Sequence, residues 1–73
     1  MDSLDYAVTI ERLSEEDGGG YIAHVPLLPG CVSDGETDIE ALTNIHGAIQ
    51  EWIARARAMG RPVPAPERRR HYA

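Results

Sequence analysis

Residues 4–13 alternate between apolar and polar positions, which is typical of a half-buried β-strand. The face that we expect to be buried holds the apolar residues Tyr6, Val8 and Ile10. The opposite face holds the smaller or polar residues Ala7, Thr9 and Glu11. The pattern therefore predicts a first strand with one face on a core.

A turn and two further strands follow the first strand. The polar segment 14–20 ends in three glycines, which accept the positive φ angles of a hairpin connection, so a second strand over 21–25 should pair antiparallel with the first. Pro26 and Pro29 interrupt the sheet pattern because proline lacks the N–H that a β-ladder needs. The chain is therefore predicted to turn there and to form a third, more polar strand over 31–36.

A long helix is predicted after the third strand. Thr37 and Glu40 have the spacing of a capping box, so the helix should begin at Asp38, and Gly60 is a suitable stop. Gly47 in its middle predicts the close approach of another element or, alternatively, an uncompensated weak point. A stripe with spacings of three and four is predicted to face the sheet, namely Ile39, Leu42, Ile45, Ile49, Trp52 or Ile53, Ala56 and Met59.

The predicted fold class is α+β. The order β-β-β-α describes a three-stranded antiparallel sheet with one long helix on one face. The proline-rich segment 61–66 is extended and adds at most a short fourth edge strand. We expect one domain over residues 1–66 and a flexible, arginine-rich tail over 67–73.

Charge and size indicate a protein that binds other proteins. Residues 1–51 carry 11 acidic side chains against Arg12 alone, whereas residues 52–73 carry six arginines against Glu67. A domain of this size buries only about 60% of its unfolded surface, so it is only marginally stable by itself. Cys31 is its single cysteine and can form no internal disulfide that would add stability. We therefore expect self-association.

With no basic leader and no apolar run of bilayer length, we expect a cytoplasmic protein.

The motifs between residues 17 and 52 resemble those of the HicB antitoxin family. An acidic, glycine-rich turn precedes Tyr21-Ile22-Ala23, then Leu28-Pro29-Gly30-Cys31, then a polar strand and the helix capped by Thr37. The helix positions that continue the resemblance are Ala41, Leu42, Asn44, Ala48, Ile49 and Trp52. The resemblance implies a partial RNase H-like fold and an antitoxin that occludes HicA, a small basic mRNA-interfering toxin.

Two groups of residues are candidates for binding partners. The densest acidic clusters, which we expect to contact a basic toxin unless they only aid solubility, are Glu15, Glu16 and Asp17, and Asp34 and Glu36. One helix leaves the second sheet face uncovered, which predicts a dimer or tetramer. The residues expected at that interface are Ala7, Thr9, Ile22 and His24.

Other functions are less well supported by the sequence. Cys31 with His24 would be the nucleophile and base of an enzyme, but a cysteine after a Pro-Gly turn more often fills a corner of the core. A two-metal nuclease would need converging carboxylates, which the strands do not supply. We therefore expect no catalytic residue, metal site or cofactor. The alternative function is a homo-oligomeric module of this fold with no toxin partner.

Nucleic-acid binding is not expected from this sequence. Many HicB proteins carry a C-terminal DNA-binding domain, and this sequence ends where such a domain would start, so the resemblance gives no direct basis for transcriptional control. Arg68, Arg69 and Arg70 could contact phosphate, but no aromatic side chains are interleaved with them.

Overall fold

The computed structural model of the protein describes residues 6–66. Three antiparallel strands form one sheet in the order β1-β2-β3, and a single long helix follows them. The elements are β1 (Thr9–Arg12), β2 (Tyr21–His24), β3 (Val32–Gly35) and α1 (Asp38–Ala58). The predicted α+β class and the β-β-β-α order are confirmed.

The predicted length of β1 is wrong, and the optional fourth edge strand does not form within residues 6–66. β1 has four residues instead of the ten that the alternation suggested. The segment 61–66 forms no strand. It is held by a side chain instead, because the Tyr6 hydroxyl donates a hydrogen bond to the carbonyl of Pro64 at 2.6 Å. The predicted tail 67–73 lies outside the described residues.

The turn between β1 and β2 has the chemistry that its sequence predicts. A 3₁₀ helix over Glu15–Asp17 is capped by Ser14, whose hydroxyl oxygen accepts from the Asp17 amide at 3.3 Å. Gly18, Gly19 and Gly20 then have φ angles of 105°, 71° and 76°, which side-chain-bearing residues adopt at a cost. The Leu13 amide donates to the Gly20 carbonyl at 2.8 Å and closes the hairpin.

The strand register divides the sheet into two faces. Ala23 in β2 pairs with Ile10 and Ser33, and it is fully buried. Directly opposed residues share a face, so these three lie on the side that α1 covers. The other face holds Thr9, Glu11, Ile22, His24, Val32 and Asp34.

The core lies between the covered face, the Pro26–Pro29 corner and α1. Leu28 is fully buried, and backbone hydrogen bonds from the Leu28 amide to the Val25 carbonyl and from the Cys31 amide to the Leu28 carbonyl hold the corner. The buried cluster consists of Tyr6, Ala23, Val25, Leu28, Cys31, Ala41, Ile45 and Ile49. Tyr21 and Trp52 pack against this cluster and are half-buried.

Both ends of α1 are capped at the predicted residues, but within residues 6–66 the Glu40 side chain does not return a bond to the Thr37 amide, so only half of the capping box forms. The Thr37 hydroxyl oxygen accepts from the Glu40 amide at 3.1 Å. At the other end Gly60 has φ 69° and donates to the Arg57 carbonyl, while the Arg61 amide donates to the Ala56 carbonyl at 2.8 Å. This pair of bonds is a Schellman motif.

The prediction of which helix residues face the sheet is wrong at three positions. Ile39, Leu42 and Met59 are 72%, 39% and 55% exposed. The buried positions are Ala41, Ile45, Ile49 and Ala56. Ile45, Ile49 and Ala56 are buried as predicted, and Ala41 is buried in the first turns of the helix in place of Ile39 and Leu42.

Gly47 has no close neighbour, so the predicted approach of another element to it is wrong. A Cβ built at Gly47 would meet nothing within 4 Å. The alternative, an uncompensated weak point, agrees with this environment. We expect Gly47→Ala to raise the free energy of unfolding by about 1 kcal/mol, since alanine loses less backbone entropy in a helix. Chemical denaturation of the two proteins measures the difference, and a lower stability of the variant would contradict the exposed position of Gly47.

Candidate functional site

A polar groove of about 570 Å³ lies where the β1–β2 turn meets the start of α1. One side is formed by Gly18, Gly19 and Gly20, and the other by the end of β3 and the first turns of the helix. The residues that line this second side are Asp34, Gly35, Glu36, Glu40 and Asn44. We call this concavity the acidic groove, because its lining residues include Asp34, Glu36 and Glu40 and no basic residue.

The acidic groove depends on the close approach of two glycines. Gly20 and Gly35 belong to the neighbouring strand segments, and a Cβ at Gly20 would lie 2.7 Å from the Gly35 carbonyl oxygen. Gly35 in turn contacts α1, since a Cβ there would lie 2.5 Å from the Ala41 nitrogen. The missing side chains allow the turn, β3 and the helix to meet at one point.

Two side-chain hydrogen bonds join β3 to α1 beside this groove. The Asn44 amide nitrogen donates to the Asp34 carbonyl at 2.9 Å. The Ser33 hydroxyl donates to the Ala41 carbonyl at 3.1 Å. Both bonds tie the strand to the first half of the helix, so this wall of the groove is fixed by the fold, whereas the opposite wall is the glycine turn.

Both acidic clusters predicted from the sequence lie beside this groove. Glu15, Glu16 and Asp17 are exposed on the 3₁₀ helix that leads directly into the glycine wall. Asp34 and Glu36 are exposed and line the opposite wall. The two clusters are separate in the sequence, and the hairpin places both at one end of the molecule.

Sequence reasoning missed two residues of the acidic groove. Glu40 was assigned only a capping role and Asn44 only a place in the family resemblance, yet both line the groove. Their positions on one side of α1, four residues apart, were a usable signal. The sequence does not show that this side of α1 faces the groove, because that depends on how the helix packs on β3.

The open sheet face contains the residues predicted for self-association. Ala7 and Thr9 are exposed, and Ile22 and His24 are half-buried. The Thr9 hydroxyl oxygen lies 2.8 Å from Nδ1 and 2.9 Å from Nε2 of His24. Val32, which is opposite His24 in the register, is 53% exposed and was not named from the sequence.

Cys31 and His24 have separate environments. Cys31 is 3% exposed and belongs to the core cluster, where burial raises the pKa of its thiol from the ordinary value of 9.0. His24 contacts Thr9 on the open face of the sheet. A raised pKa suppresses the thiolate at neutral pH, so the thiol is poorly suited to nucleophilic attack.

We expect Cys31 to react with iodoacetamide at pH 8 at least about 100-fold more slowly in the folded protein than in denaturant, because the thiol is buried and its thiolate is suppressed. Mass spectrometry of the alkylated chain gives the labelling rates of the folded and the denatured protein. Rapid labelling of the folded protein would contradict the buried position of the thiol.

The raised pKa of Cys31 in the folded state also implies a contribution to stability. This contribution is fully present below pH 9.0 and is lost as the pH rises above that value.

Neither a metal centre nor a membrane-spanning helix is found in residues 6–66. Within that range, no three His, Cys, Asp or Glu side chains are grouped so that they could hold a metal ion. Over the same residues, no helix has the length and apolar character that crossing a bilayer requires.

Curated relatives match most of the chain. A UPF0150 protein of Thermoplasma acidophilum is 36% identical over 61 residues, which cover 84% of each chain. A UPF0150 protein of Synechocystis is 43% identical over 60 residues, which cover 82% of this chain and 72% of the relative. A UPF0150 protein of Helicobacter pylori is 48% identical over 44 residues, which cover 60% of this chain and 61% of the relative. No solved structure matches the chain.

The family comparison agrees with the motifs and with the fold. The matching family model is described as a HicB-like antitoxin of bacterial toxin–antitoxin system, and it aligns with residues 6–72. This range includes the glycine-rich turn, the Pro-bounded corner and the whole of α1. The chain belongs to the HicB-like antitoxin family of bacterial toxin–antitoxin systems.

Proposed function

We propose that this protein neutralises a small, basic, HicA-type mRNA-interfering toxin by covering the RNA-binding surface of that toxin. The observation that carries the proposal is the position of the two acidic clusters beside one groove. A surface that binds the phosphates of RNA is basic, and an acidic surface of matching size competes for it directly. The protein would act by steric occlusion in the cytoplasm, without a chemical step.

The distribution of charge in residues 6–66 supports toxin binding at the end of the molecule that carries the acidic groove. The acidic groove and the 3₁₀ helix lie near the start of α1, whereas Arg55, Arg57 and Arg61 lie at or just beyond its far end. A basic toxin is therefore attracted to one end of the molecule and repelled by the other. Such a charge asymmetry steers encounter and raises the association rate at low salt.

The open sheet face is our proposed surface for self-association into a dimer or tetramer. Its proposed contacts are Ala7, Thr9, Ile22 and His24, and the exposed Val32 extends the surface. Glu11 and Asp34 flank Ile22 in the register, so a second copy must avoid placing like charges opposite them. Asp34 belongs both to this face and to the lining of the acidic groove, whereas Glu36, Glu40 and Asn44 lie outside the proposed contacts, so an oligomer would leave most of the groove open to a toxin.

Charge removal at the acidic clusters tests the proposed toxin surface. We expect Glu15→Gln with Glu16→Gln, and separately Asp34→Asn with Glu36→Gln, each to slow association with the toxin roughly fivefold at low salt and to flatten its salt dependence. The probe is a HicA-type toxin in a form that no longer cleaves mRNA, and stopped-flow kinetics gives the rates.

Glu51→Gln is the matched control for these variants. Glu51 is an exposed acid on α1 that does not line the acidic groove. We expect its removal to change the association rate less than twofold. Equal rates for the wild type and both double variants would exclude the acidic groove as the toxin surface. Absence of toxin binding by the wild type would instead favour the homo-oligomeric module without a toxin.

A further inference from the structure

A second groove lies at the other end of the molecule and has a different chemical character. It occupies about 540 Å³ between the second half of α1, the Pro29–Gly30 corner and the segment after the helix. Its main lining residues are Pro29, Trp52, Arg55, Met59, Arg61 and Pro64. We call it the Trp52 groove. None of the proposed toxin contacts belongs to it.

The apolar part of the Trp52 groove is held in place by the fold. The Trp52 indole N–H donates to the Pro29 carbonyl at 2.9 Å, so the position of the ring is fixed while part of it remains exposed. Ala56 is 5% exposed and lies beside the ring one helical turn later, and Met59 is 55% exposed. The result is a preformed apolar surface with an adaptable methionine at its edge.

Two arginines border this apolar surface. Arg55 and Arg61 are both exposed, and neither guanidinium has an ion pair with a carboxylate within residues 6–66. Arginines near the end of a helix often bond its last carbonyls. Here the carbonyls of Ala56 and Arg57 accept from the amides of Arg61 and Gly60, and within residues 6–66 neither arginine side chain donates to a helix carbonyl.

We propose that the Trp52 groove binds an extended acidic peptide segment of a partner protein. One bulky apolar side chain of the segment packs against Trp52, and carboxylates on either side of it pair with Arg55 and Arg61. An Arg–carboxylate pair is favoured by its two-point geometry, and an aromatic ring next to arginines is a common centre of peptide-binding energy. Charge complementarity excludes a basic toxin from this groove, so its occupant is a different partner.

The shape of the groove favours a peptide in an extended conformation. The wall formed by residues 61–64 contains Pro62 and Pro64, and prolines keep a backbone extended and reduce its free N–H groups. The Tyr6 hydroxyl bonds the Pro64 carbonyl and keeps this wall against the body of the protein. A groove between a helix and an extended wall accommodates a chain along its length.

The test uses a synthetic peptide, acetyl-Glu-Asp-Leu-Asp-Glu-amide, and the emission of Trp52, which is the single tryptophan of the chain. We expect the peptide to change the emission in a saturable way and the variant Arg55→Gln with Arg61→Gln to weaken binding roughly tenfold. Arg57→Gln is the matched control, since Arg57 is exposed on the same helix outside the groove, and its effect should stay below twofold. Circular dichroism shows whether each variant is folded.

Two altered peptides separate the charged and apolar contributions. Acetyl-Gln-Asn-Leu-Asn-Gln-amide lacks the carboxylates, and acetyl-Glu-Asp-Ser-Asp-Glu-amide lacks the apolar side chain. Both should bind at least about fivefold more weakly than the first peptide. The proposal is overturned if the first peptide does not bind at about 1 mM, if the arginine variant binds it as well as the wild type, or if the uncharged peptide binds equally well.

Discussion

Replacing Gly35 by alanine is expected to lower the free energy of unfolding by about 3 kcal/mol, one of the largest effects of any single methyl group in this protein. The added Cβ would lie 2.5 Å from the Ala41 nitrogen and 2.6 Å from the Glu40 Cβ. Backbone atoms of a helix cannot move aside as a flexible side chain can, so α1 must shift away from β3. Urea denaturation measures the loss, and the melting temperature should fall by roughly 15 °C.

Gly47→Ala is the control for this prediction because it makes the same chemical change at an open position of the helix. The two substitutions should change stability in opposite directions. If Gly35→Ala were neutral, β3 and α1 could not be as close as the structure shows. The same shift of the helix would widen the acidic groove, so this variant should also bind the toxin more weakly than its remaining folded fraction explains.

Truncating Leu28 to alanine is expected to cost about 3 kcal/mol. Leu28 is fully buried at the Pro-bounded corner, where its amide donates to the Val25 carbonyl and its carbonyl accepts from the Cys31 amide. The corner is fixed by these bonds and by the prolines, so the neighbouring side chains cannot collapse into the space that the leucine leaves. Chemical denaturation at neutral pH gives the free energy of unfolding.

Leu27→Ala is the matched control for the corner. Leu27 is the adjacent residue of the same type, but it is only half-buried. Its truncation should cost about 1 kcal/mol, since less apolar surface is lost and water can fill the space. Equal losses at the two leucines would mean that Leu28 does not occupy the core.

Features of the fold that depend on neighbouring residues could be predicted from the sequence. The Thr37 cap, the Gly60 stop and the turn over 14–20 each follow from the chemistry of a few adjacent residues. The alternation around Ala23 likewise predicts which side of β2 is covered. Short-range hydrogen bonding and backbone φ angles decide all of these features, and both can be inferred from local sequence.

Features that depend on the exact position of the helix on the sheet could not be predicted. Ile39 and Leu42 satisfy the helical spacing, but they lie beyond the area that three short strands can cover. Ile10 is 39% exposed for a related reason, because α1 lies mainly over β2 and β3. Hydrophobic periodicity gives a direction around the helix and says nothing about where the partner sheet ends.

The candidate site was predicted only in part for the same reason. Glu15 and Asp34 were selected from local charge density, and charge density is a property of sequence. The acidic groove itself results from the contact between Gly20 and Gly35, which are 15 positions apart. Whether two such residues meet depends on the pairing of the strands. Glu40 and Asn44 reach the groove wall through the packing of α1 on β3.

We propose that this protein occludes a basic toxin. The most direct test is to co-express it with a HicA-type toxin from the same genome, to purify it through a tag, and to measure both the mass of the native complex and the cleavage of mRNA by that complex. We predict a stoichiometric complex in which the toxin no longer cleaves mRNA. Recovery of the protein alone, or of a complex in which the toxin remains fully active, would contradict the claim.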